Sequence, residues 1–267
     1  MAEAPGQLAF EDVLYSKKDG VARIAINRPE VRNAFRARTV DELTAAFQDA
    51  WDDATVGVVV LTGTGDRAFC SGGDQKVREG TGYGGMKGGA VENLHAMIRN
   101  IPKPVIAAVN GYAIGGGHVL QVLCDLSIAS DRAIFGQVGP RVGSVDPGYG
   151  TAYLSRVIGE KKAREVWMLC RQYTAEQALS MGLVNRVVPH DELEAEVEAW
   201  CKELLAKSPT ALALVKSSMN ADSDAVGGIG KLGFQALHLF YGTNEAAEGR
   251  NAFVEKRPVD FSKFRSG

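Results

Sequence analysis

The sequence predicts an α/β protein in which parallel strands alternate with helices for about 140 residues, followed by a helical C-terminal third. Short β-branched apolar runs at Val58–Leu61 and Val105–Val109 have the character of strands buried on both faces. Between the N-terminal strands and the first of these runs, Val40, Leu43, Phe47 and Trp51 recur at helical spacing. Three consecutive glycines, Gly115–Gly117, then separate the second run from the apolar segment Val119–Leu123, which reads as a helix. Glycine at a strand-to-helix turn lets the backbone approach a ligand and leaves amide N–H groups pointing outward, where a negative oxygen is welcome. The same glycines would equally serve tight packing of helix on strand.

Taken in order, Glu11–Tyr15 and Val21–Asn27 flank the turn signal Lys17-Lys18-Asp19-Gly20, which predicts an opening β-hairpin ended by Arg28-Pro29. Thr39–Trp51 is the first helix. Leu126–Ala129 and Ala133–Phe135 are expected to continue the sheet. The glycine-rich segment 63–89 lies between two strands, and its stretch Gly80–Gly89 is a candidate lid in which Tyr83 is the residue able to reach a site. Beyond Phe135 the amphipathic segment Gly159–Cys170 predicts a helix, and Thr174 caps a short one before Gly182. Leu183–Val188 is a last strand and His190–Lys207 an amphipathic helix. Ser208-Pro209 starts another by the cap-then-proline rule, and Val226–Tyr241 is apolar with small residues on one face.

The composition bounds the function. At 267 residues, 45% hydrophobic and 23% charged, the chain is one large domain, or one with a small appendage. A net charge of -2 gives no basic field for nucleic acid or an anionic membrane. No apolar run approaches the ~20 residues of a membrane span. The N-terminus has neither the basic start nor the hydrophobic core of a signal peptide. Four cysteines without C-x-x-C spacing sit in largely apolar contexts and read as reduced thiols, so a cytoplasmic location is expected. The four histidines show no metal-binding spacing, and no metal site is expected.

Two glycine-rich turns, Cys70-Ser-Gly-Gly-Asp-Gln75 and Gly115-Gly116-Gly117, each lie next to a buried strand. Facing one cleft, their amides would make a two-donor oxyanion hole able to hold a thioester enolate. The combination of Phe69-Cys-Ser-Gly-Gly-Asp74 with Lys103-Pro-Val-Ile-Ala-Ala-Val-Asn-Gly-Tyr-Ala-Ile-Gly-Gly-Gly117 resembles the crotonase (enoyl-CoA hydratase/isomerase) superfamily, and the resemblance runs from Phe10 to Phe264. It implies a spiral of stacked ββα turns (residues 1–200) and a helical C-terminal region (201–267) used for trimerisation. It further implies a CoA thioester as substrate, no tightly bound cofactor, no nucleic-acid or membrane partner, and assembly as a homotrimer or a dimer of trimers. The oxyanion amides would be those of Gly73 and Gly116.

The hydratases of that superfamily place one glutamate after the glycine turn and another after the following strands. The matching residues here are Val119 and Gly139, neither of which moves a proton, so plain hydration of an enoyl-CoA is disfavoured. The run Phe135–Gly150 instead resembles a narrower subgroup, 1,4-dihydroxy-2-naphthoyl-CoA synthase and 2-ketocyclohexanecarboxyl-CoA hydrolase. By that resemblance Ser144 and Asp146 belong to the active site, Tyr83 and Tyr241 close it, and Gln137, Gly139 and Trp167 surround a bicarbonate or water site. From the residues alone Asp146 is as readily the start of an Asp-Pro-Gly turn, Trp167 a core residue and His118 a border of the cleft. Ser144-Val-Asp-Pro-Gly-Tyr-Gly-Thr151 leans toward the hydrolase and Leu169-Cys-Arg-Gln-Tyr173 toward the synthase. The preferred expectation is ring-opening hydrolysis of a cyclic β-keto acyl-CoA, with Dieckmann-type ring closure as the alternative. A non-catalytic acyl-CoA- or RNA-binding relative is disfavoured because Gly73, Gly116 and Asp146 are all present.

Overall fold

The computed structural model describes residues 9–78 and 90–265. Strands β1 (Val13–Lys18) and β2 (Val21–Ile26) form the expected antiparallel hairpin. The two residues of its turn, Asp19 and Gly20, both take positive φ (51° and 83°), as a two-residue hairpin demands. Helix α1 (Ala37–Asp52) follows, and buries Val40, Leu43 and Phe47 against the sheet.

The chain then repeats one unit. Strands β3 (Val58–Gly63) and β4 (Ala68–Cys70) lead to α2 (Ala90–Asn100), and β5 (Val105–Val109) and β6 (Tyr112–Ile114) lead to α3 (Gly116–Leu123). Strands β7 (Leu126–Ser130) and β8 (Ile134–Gly136) lead through a π-helical turn, Tyr149–Tyr153, into α4 (Leu154–Ile158). The first strand of each unit joins one sheet and the second strand joins another. Helix α5 (Glu160–Leu169), strand β9 (Gln172–Thr174), helix α6 (Ala175–Ser180) and strand β10 (Arg186–Val188) complete the two sheets. Their orders are β1-β2-β3-β5-β7-β10 and β4-β6-β8-β9. The pairs β2–β3, β3–β5, β5–β7 and β7–β10 are parallel, as are β4–β6 and β6–β8.

This arrangement corrects two expectations. The strand at Ala133–Phe135, observed as β8, does not continue the first sheet but pairs with β6 in the second. The chain also does not pass from Val109 directly into the glycine turn, because β6 intervenes. Gly111 makes the corner between β5 and β6, where a Cβ would overlap the Arg67 carbonyl. Three-residue strands are too short to show a two-residue period, so β4, β6 and β9 leave no pattern in the sequence.

The central strands β3 and β5 of the first sheet are buried on both faces, in strict alternation. Val59, Leu61, Val105 and Ala107 face the large core under α1, α2 and α3. Val58, Val60, Ile106 and Ala108 face a second core closed by Leu193, Val197 and Cys201 of α7 (Leu193–Leu205). That double burial explains why these strands read as unbroken apolar runs.

Three further α-helices follow, α8 (Pro209–Ala221), α9 (Ala225–Tyr241) and α10 (Asn244–Glu255), and a 3-10 turn, Ser262–Phe264, ends the described chain. Ser208 caps α8 by accepting the Ala211 N–H, with Pro209 at the first helical position. Leu214, Met219, Leu232, Leu239 and Phe253 leave large apolar side chains exposed on these helices. No helix among the described residues is long and apolar enough to cross a membrane. Asn220 ties α8 to α2 through its amide, which donates to the Arg99 carbonyl at 2.8 Å, and Lys216, a buried cation, fastens it to the body. Its Nζ lies 2.7 Å from Asp125 Oδ2 and donates to the carbonyls of Ile98 and Lys103, each at 3.1 Å. Removing one member of such a pair strands the other charge in a poorly solvated place. Lys216→Met should therefore destabilise the fold by about 3 kcal/mol, the low end for a buried pair because Asp125 keeps some water contact. A urea titration at pH 7 measures this, and Asp125→Asn combined with Lys216→Met should recover part of the loss.

Candidate active site

The two glycine turns meet. Phe35 bridges to the first turn as a one-residue parallel pair with Gly73, its N–H donating to the Gly72 carbonyl and its carbonyl accepting the Asp74 N–H, both at 2.9 Å. Gly72 has φ +88°, and a Cβ there would lie 2.9 Å from the Ile114 carbonyl oxygen and 3.1 Å from the Gly116 nitrogen. Gly116 in turn has no room for a side chain, because the Phe35 ring stands 2.6 Å from where a Cβ would be. The parallel bridge uses the N–H groups of Phe35 and Asp74 and leaves that of Gly73 out of the pairing. Gly116 is the first residue of α3, where an N–H has no intrahelical acceptor. Two amides 43 positions apart in sequence (116 minus 73) are thus presented from one place, at a helix N-terminus whose dipole favours negative charge.

Nearby Cys70 is not a nucleophile. It is fully buried and accepts the Gly72 N–H on Sγ at 3.4 Å, and burial pushes its thiol up to about 12.

Asp146 lies near the first turn of α3. A Cβ on Gly150 would be 3.0 Å from Asp146 Oδ1 and 3.0 Å from Val119 Cγ2, which puts the carboxylate beside the residue three positions beyond Gly116. Asp146 as a whole residue is only half-buried, but its Oδ1 is closed off from solvent and has no hydrogen-bond partner. Burial raises its carboxyl to about 7, the Glu92 charge adds to the rise, and a hydrogen bond with the Gly150 backbone opposes it. A buried carboxyl that titrates near neutrality is the usual mark of a group that exchanges protons in its work.

Ser144 and Tyr241 are brought together, their hydroxyls 2.7 Å apart. Tyr241 closes the C-terminal end of α9, and the Arg78 guanidinium lies 4.8 Å from its ring centroid. Arg78 also donates to the carbonyls of Val142 (3.3 Å), Gly143 (3.4 Å) and Ala246 (3.1 Å). It thereby ties the segment after the first glycine turn to the Ser144 loop and to α10. Burial raises the Tyr241 hydroxyl above its ordinary range, so it stays protonated.

Gln137, Gly139 and Trp167 do not form an open anion cradle. The Gln137 amide donates to the Gly115 carbonyl at 3.2 Å and contacts His118 Nδ1 at 3.1 Å. The Trp167 indole N–H donates to the Gly150 carbonyl. A Cβ at Gly139 would be 2.6 Å from the Ser144 carbonyl oxygen and 2.9 Å from the Trp167 ring, so those groups fill the space beside it. The two donors that the subgroup resemblance assigns to bicarbonate are therefore engaged by protein acceptors. His118 does not border the cleft; it is 1% exposed, packs edge-on to Phe135, and burial holds it down at about 4. Tyr83 and the Gly80–Gly89 stretch lie outside the described residues.

Comparison with known proteins decides the family. The model of the enoyl-CoA hydratase/isomerase family matches residues 16–264, nearly the whole chain. The chain belongs to the enoyl-CoA hydratase/isomerase family. Among solved structures, an enoyl-CoA hydratase from Mycobacterium avium subsp. paratuberculosis is 28% identical with a TM-score of 0.86, over 95% of this chain and 100% of that one. A carnitinyl-CoA hydratase from Mycobacterium avium is 29% identical with a TM-score of 0.83, over 96% and 100%. An enoyl-CoA hydratase from Bacillus anthracis is 29% identical with a TM-score of 0.73, over 94% and 99%.

Within the enoyl-CoA hydratase/isomerase fold, the polar residues that sequence reading passed over sit on α2. Glu92, His95 and Arg99 follow one another at three- and four-residue steps on one face of that helix. His95 is 1% exposed with an unpartnered Nδ1, and Arg99 lies over the rings of Tyr149 and Tyr153 at 5.6 and 5.3 Å. The E-x-x-H-x-x-x-R spacing was the available signal.

The raised Asp146 carboxyl has a consequence for stability. Between its ordinary value of 3.8 and about 7, the folded chain holds a proton that the unfolded chain releases, so this group's contribution falls as pH rises through that window. Above it, the fold bears the whole cost of a buried charge. Asp146→Asn should therefore stabilise the protein at pH 8 by on the order of 2 kcal/mol, with the gain shrinking steadily toward pH 5. Urea midpoints across that range test this, and a gain independent of pH would contradict it.

Proposed function

We propose that this protein opens the ring of a cyclic β-keto acyl-CoA by hydrolysis, through a thioester enolate. The observation that carries the reading is Asp146 Oδ1, buried, unpartnered and set beside the first turn of the helix that presents the Gly116 amide. In the reaction, Asp146 takes a proton from water as the water oxygen bonds to the ring ketone carbon. The tetrahedral alkoxide collapses, and the bond between that carbon and the thioester α-carbon breaks. The electron pair moves onto the thioester as an enolate, whose oxygen accepts the Gly73 and Gly116 N–H groups. The proton returns from Asp146 to the α-carbon. One water is consumed, its OH ending in a new carboxyl group and its H on the α-carbon. Ser144 and Tyr241, hydrogen-bonded to each other, hold the ring ketone oxygen.

Hydration, the activity named for the structural neighbours, is disfavoured for this chain because Val119 is fully buried and apolar and Gly139 has no side chain. The synthase reading runs through the same enolate and the same residues. It is placed second because the Gln137 and Trp167 donors already have acceptors inside the protein, so a bicarbonate base would have to displace them. The exposed apolar side chains of α8, α9 and α10 support assembly into a trimer or a dimer of trimers.

Two measurements test this. Turnover of 2-ketocyclohexanecarboxyl-CoA and of o-succinylbenzoyl-CoA, read by product mass in carbonate-depleted buffer with and without added bicarbonate, separates the reactions. Ring opening insensitive to bicarbonate is expected; bicarbonate-activated ring closure with no ring opening would replace it by the synthase reading. For the ring-opening reaction, Asp146→Asn should lower kcat by ~100- to 10,000-fold with little change in KM, the usual worth of a positioned acid or base. Gly116→Pro deletes one oxyanion donor, although its ring must also displace the Phe35 side chain, and should cost ~100-fold or more in kcat. Circular dichroism of that variant separates lost chemistry from lost fold, and a folded variant with near-normal turnover would remove Gly116 from the oxyanion hole.

A further inference from the structure

The first glycine turn is held by residues 28–36, the loop that joins the opening hairpin to α1. The Phe35 N–H that donates to the Gly72 carbonyl also sets where Gly73 points, because the C=O and N–H of one trans peptide face opposite ways. The Gly73 N–H is therefore aimed away from the Phe35 backbone, and its direction follows from where the loop is held.

Three side chains hold it. Asn33, fully buried, donates to the Thr64 and Ala68 carbonyls at 2.9 and 2.7 Å and accepts the Arg28 N–H at 3.0 Å. Arg36 donates through Nε and Nη2 to the two oxygens of buried Asp12, each at 2.7 Å. Arg28 is the third. Its Nη1 donates to the Ala34 carbonyl at 2.5 Å and its Nη2 to Asp74 Oδ2 at 3.2 Å, while Nε lies 3.9 Å from Asp12 Oδ2. Ala34 precedes Phe35 and Asp74 follows Gly73, so one planar group spans both segments of the bridge directly beside the amide. Asp74 is itself buried, and its other oxygen accepts the Lys76 N–H at 3.1 Å, which fixes the orientation of the carboxylate.

We propose that Arg28 is a positioning residue of the oxyanion hole: its guanidinium, clamped between the Ala34 carbonyl and the Asp74 carboxylate, fixes the direction of the Gly73 N–H. The inference rests on the reading of Gly73 as an oxyanion donor. Gly72 and Gly73 have no side chains to stiffen the turn from within, and Gly72 already stands at φ +88°. A buried ion pair adds little stability over an apolar pair of the same volume. What the planar fork of a guanidinium adds is geometry, since it holds two acceptors at a fixed angle. A hydrogen bond to a developing oxyanion depends on that aim.

The test uses butyryl-CoA carrying 13C at its thioester carbonyl and reads the carbonyl stretch of the bound molecule by difference infrared spectroscopy. Donors aimed at that oxygen lower the frequency below that of free butyryl-CoA, and Gly116→Pro serves as the reference for loss of one donor. This readout needs no turnover, so it is independent of the ring-opening reading. Arg28→Lys keeps the positive charge but cannot span both acceptors, and should lose part of the frequency shift while butyryl-CoA still saturates it. In the ring-opening assay its kcat should fall by ~10- to 100-fold with KM little changed, the scale of a small misplacement in an active site. Asp74→Ala breaks the clamp from the other side, leaves Arg28 its Asp12 neighbour, and should give the same loss. Asp74→Asn still accepts both N–H groups and should restore most of the shift. A merely structural role would lower the urea midpoints and leave the carbonyl frequency of the folded, saturated variants at the wild-type value. That result overturns the proposal and leaves the oxyanion assignment standing. A wild-type frequency equal to that of free butyryl-CoA would overturn both.

Discussion

Backbone resting directly on backbone is the constraint from which the architecture follows. Each ββα turn must pass its chain from the first sheet to the second within a few residues, and the next turn must stack on that corner. At Gly63, Gly111 and Gly117 a Cβ would overlap the main chain of an adjacent segment, so the stacking distance is set by the absence of a side chain. The parallel sheets above and below the corners then gain their stability in the ordinary way, by burying both faces of β3 and β5.

The site is a by-product of the same geometry. Stacked corners leave amides that no strand or helix uses, and the one at Gly116 sits at a helix N-terminus. Asp146 is held there by contacts that have nothing to do with charge: glycines of α9 on Pro147 and Gly148, and the indole of Trp167 on the Gly150 carbonyl. Packing fixes the carboxylate in a place with little water, and that burial is the largest cause of its raised pKa. Packing therefore sets both the geometry and the larger part of the shift in acidity.

Much of this was legible in the residues. The buried runs at Val58 and Val105 showed themselves because double burial removes every polar residue, and the cap at Thr174 and the start at Ser208-Pro209 showed because local chemistry fixes helix ends. The two glycine turns were legible as turns, though their contact through Phe35 was not, since a single bridged residue leaves no periodic trace. The second sheet was missed for the same reason, its strands being three residues long. His118 looked like a cleft residue from its place after the glycines, but the helix turns it toward Phe135 and Gln137. Glu92 and His95 were hidden by the glycine-rich segment before them, which drew attention to a loop and away from the helix it leads into.

Gly139 carries an evolutionary consequence. The Trp167 ring and the Ser144 carbonyl occupy the volume that a longer residue would need there. A glutamate introduced at this position by one codon change would collide with both, so it could enter only alongside a smaller residue at 167. That smaller residue would lack the indole N–H that holds the Gly150 carbonyl beside Asp146. Any lineage moving between this site and a two-glutamate site must cross an intermediate that has lost the first carboxylate's support before gaining use of the second. The packing around Gly139 thus keeps the two side-chain arrangements apart within one fold.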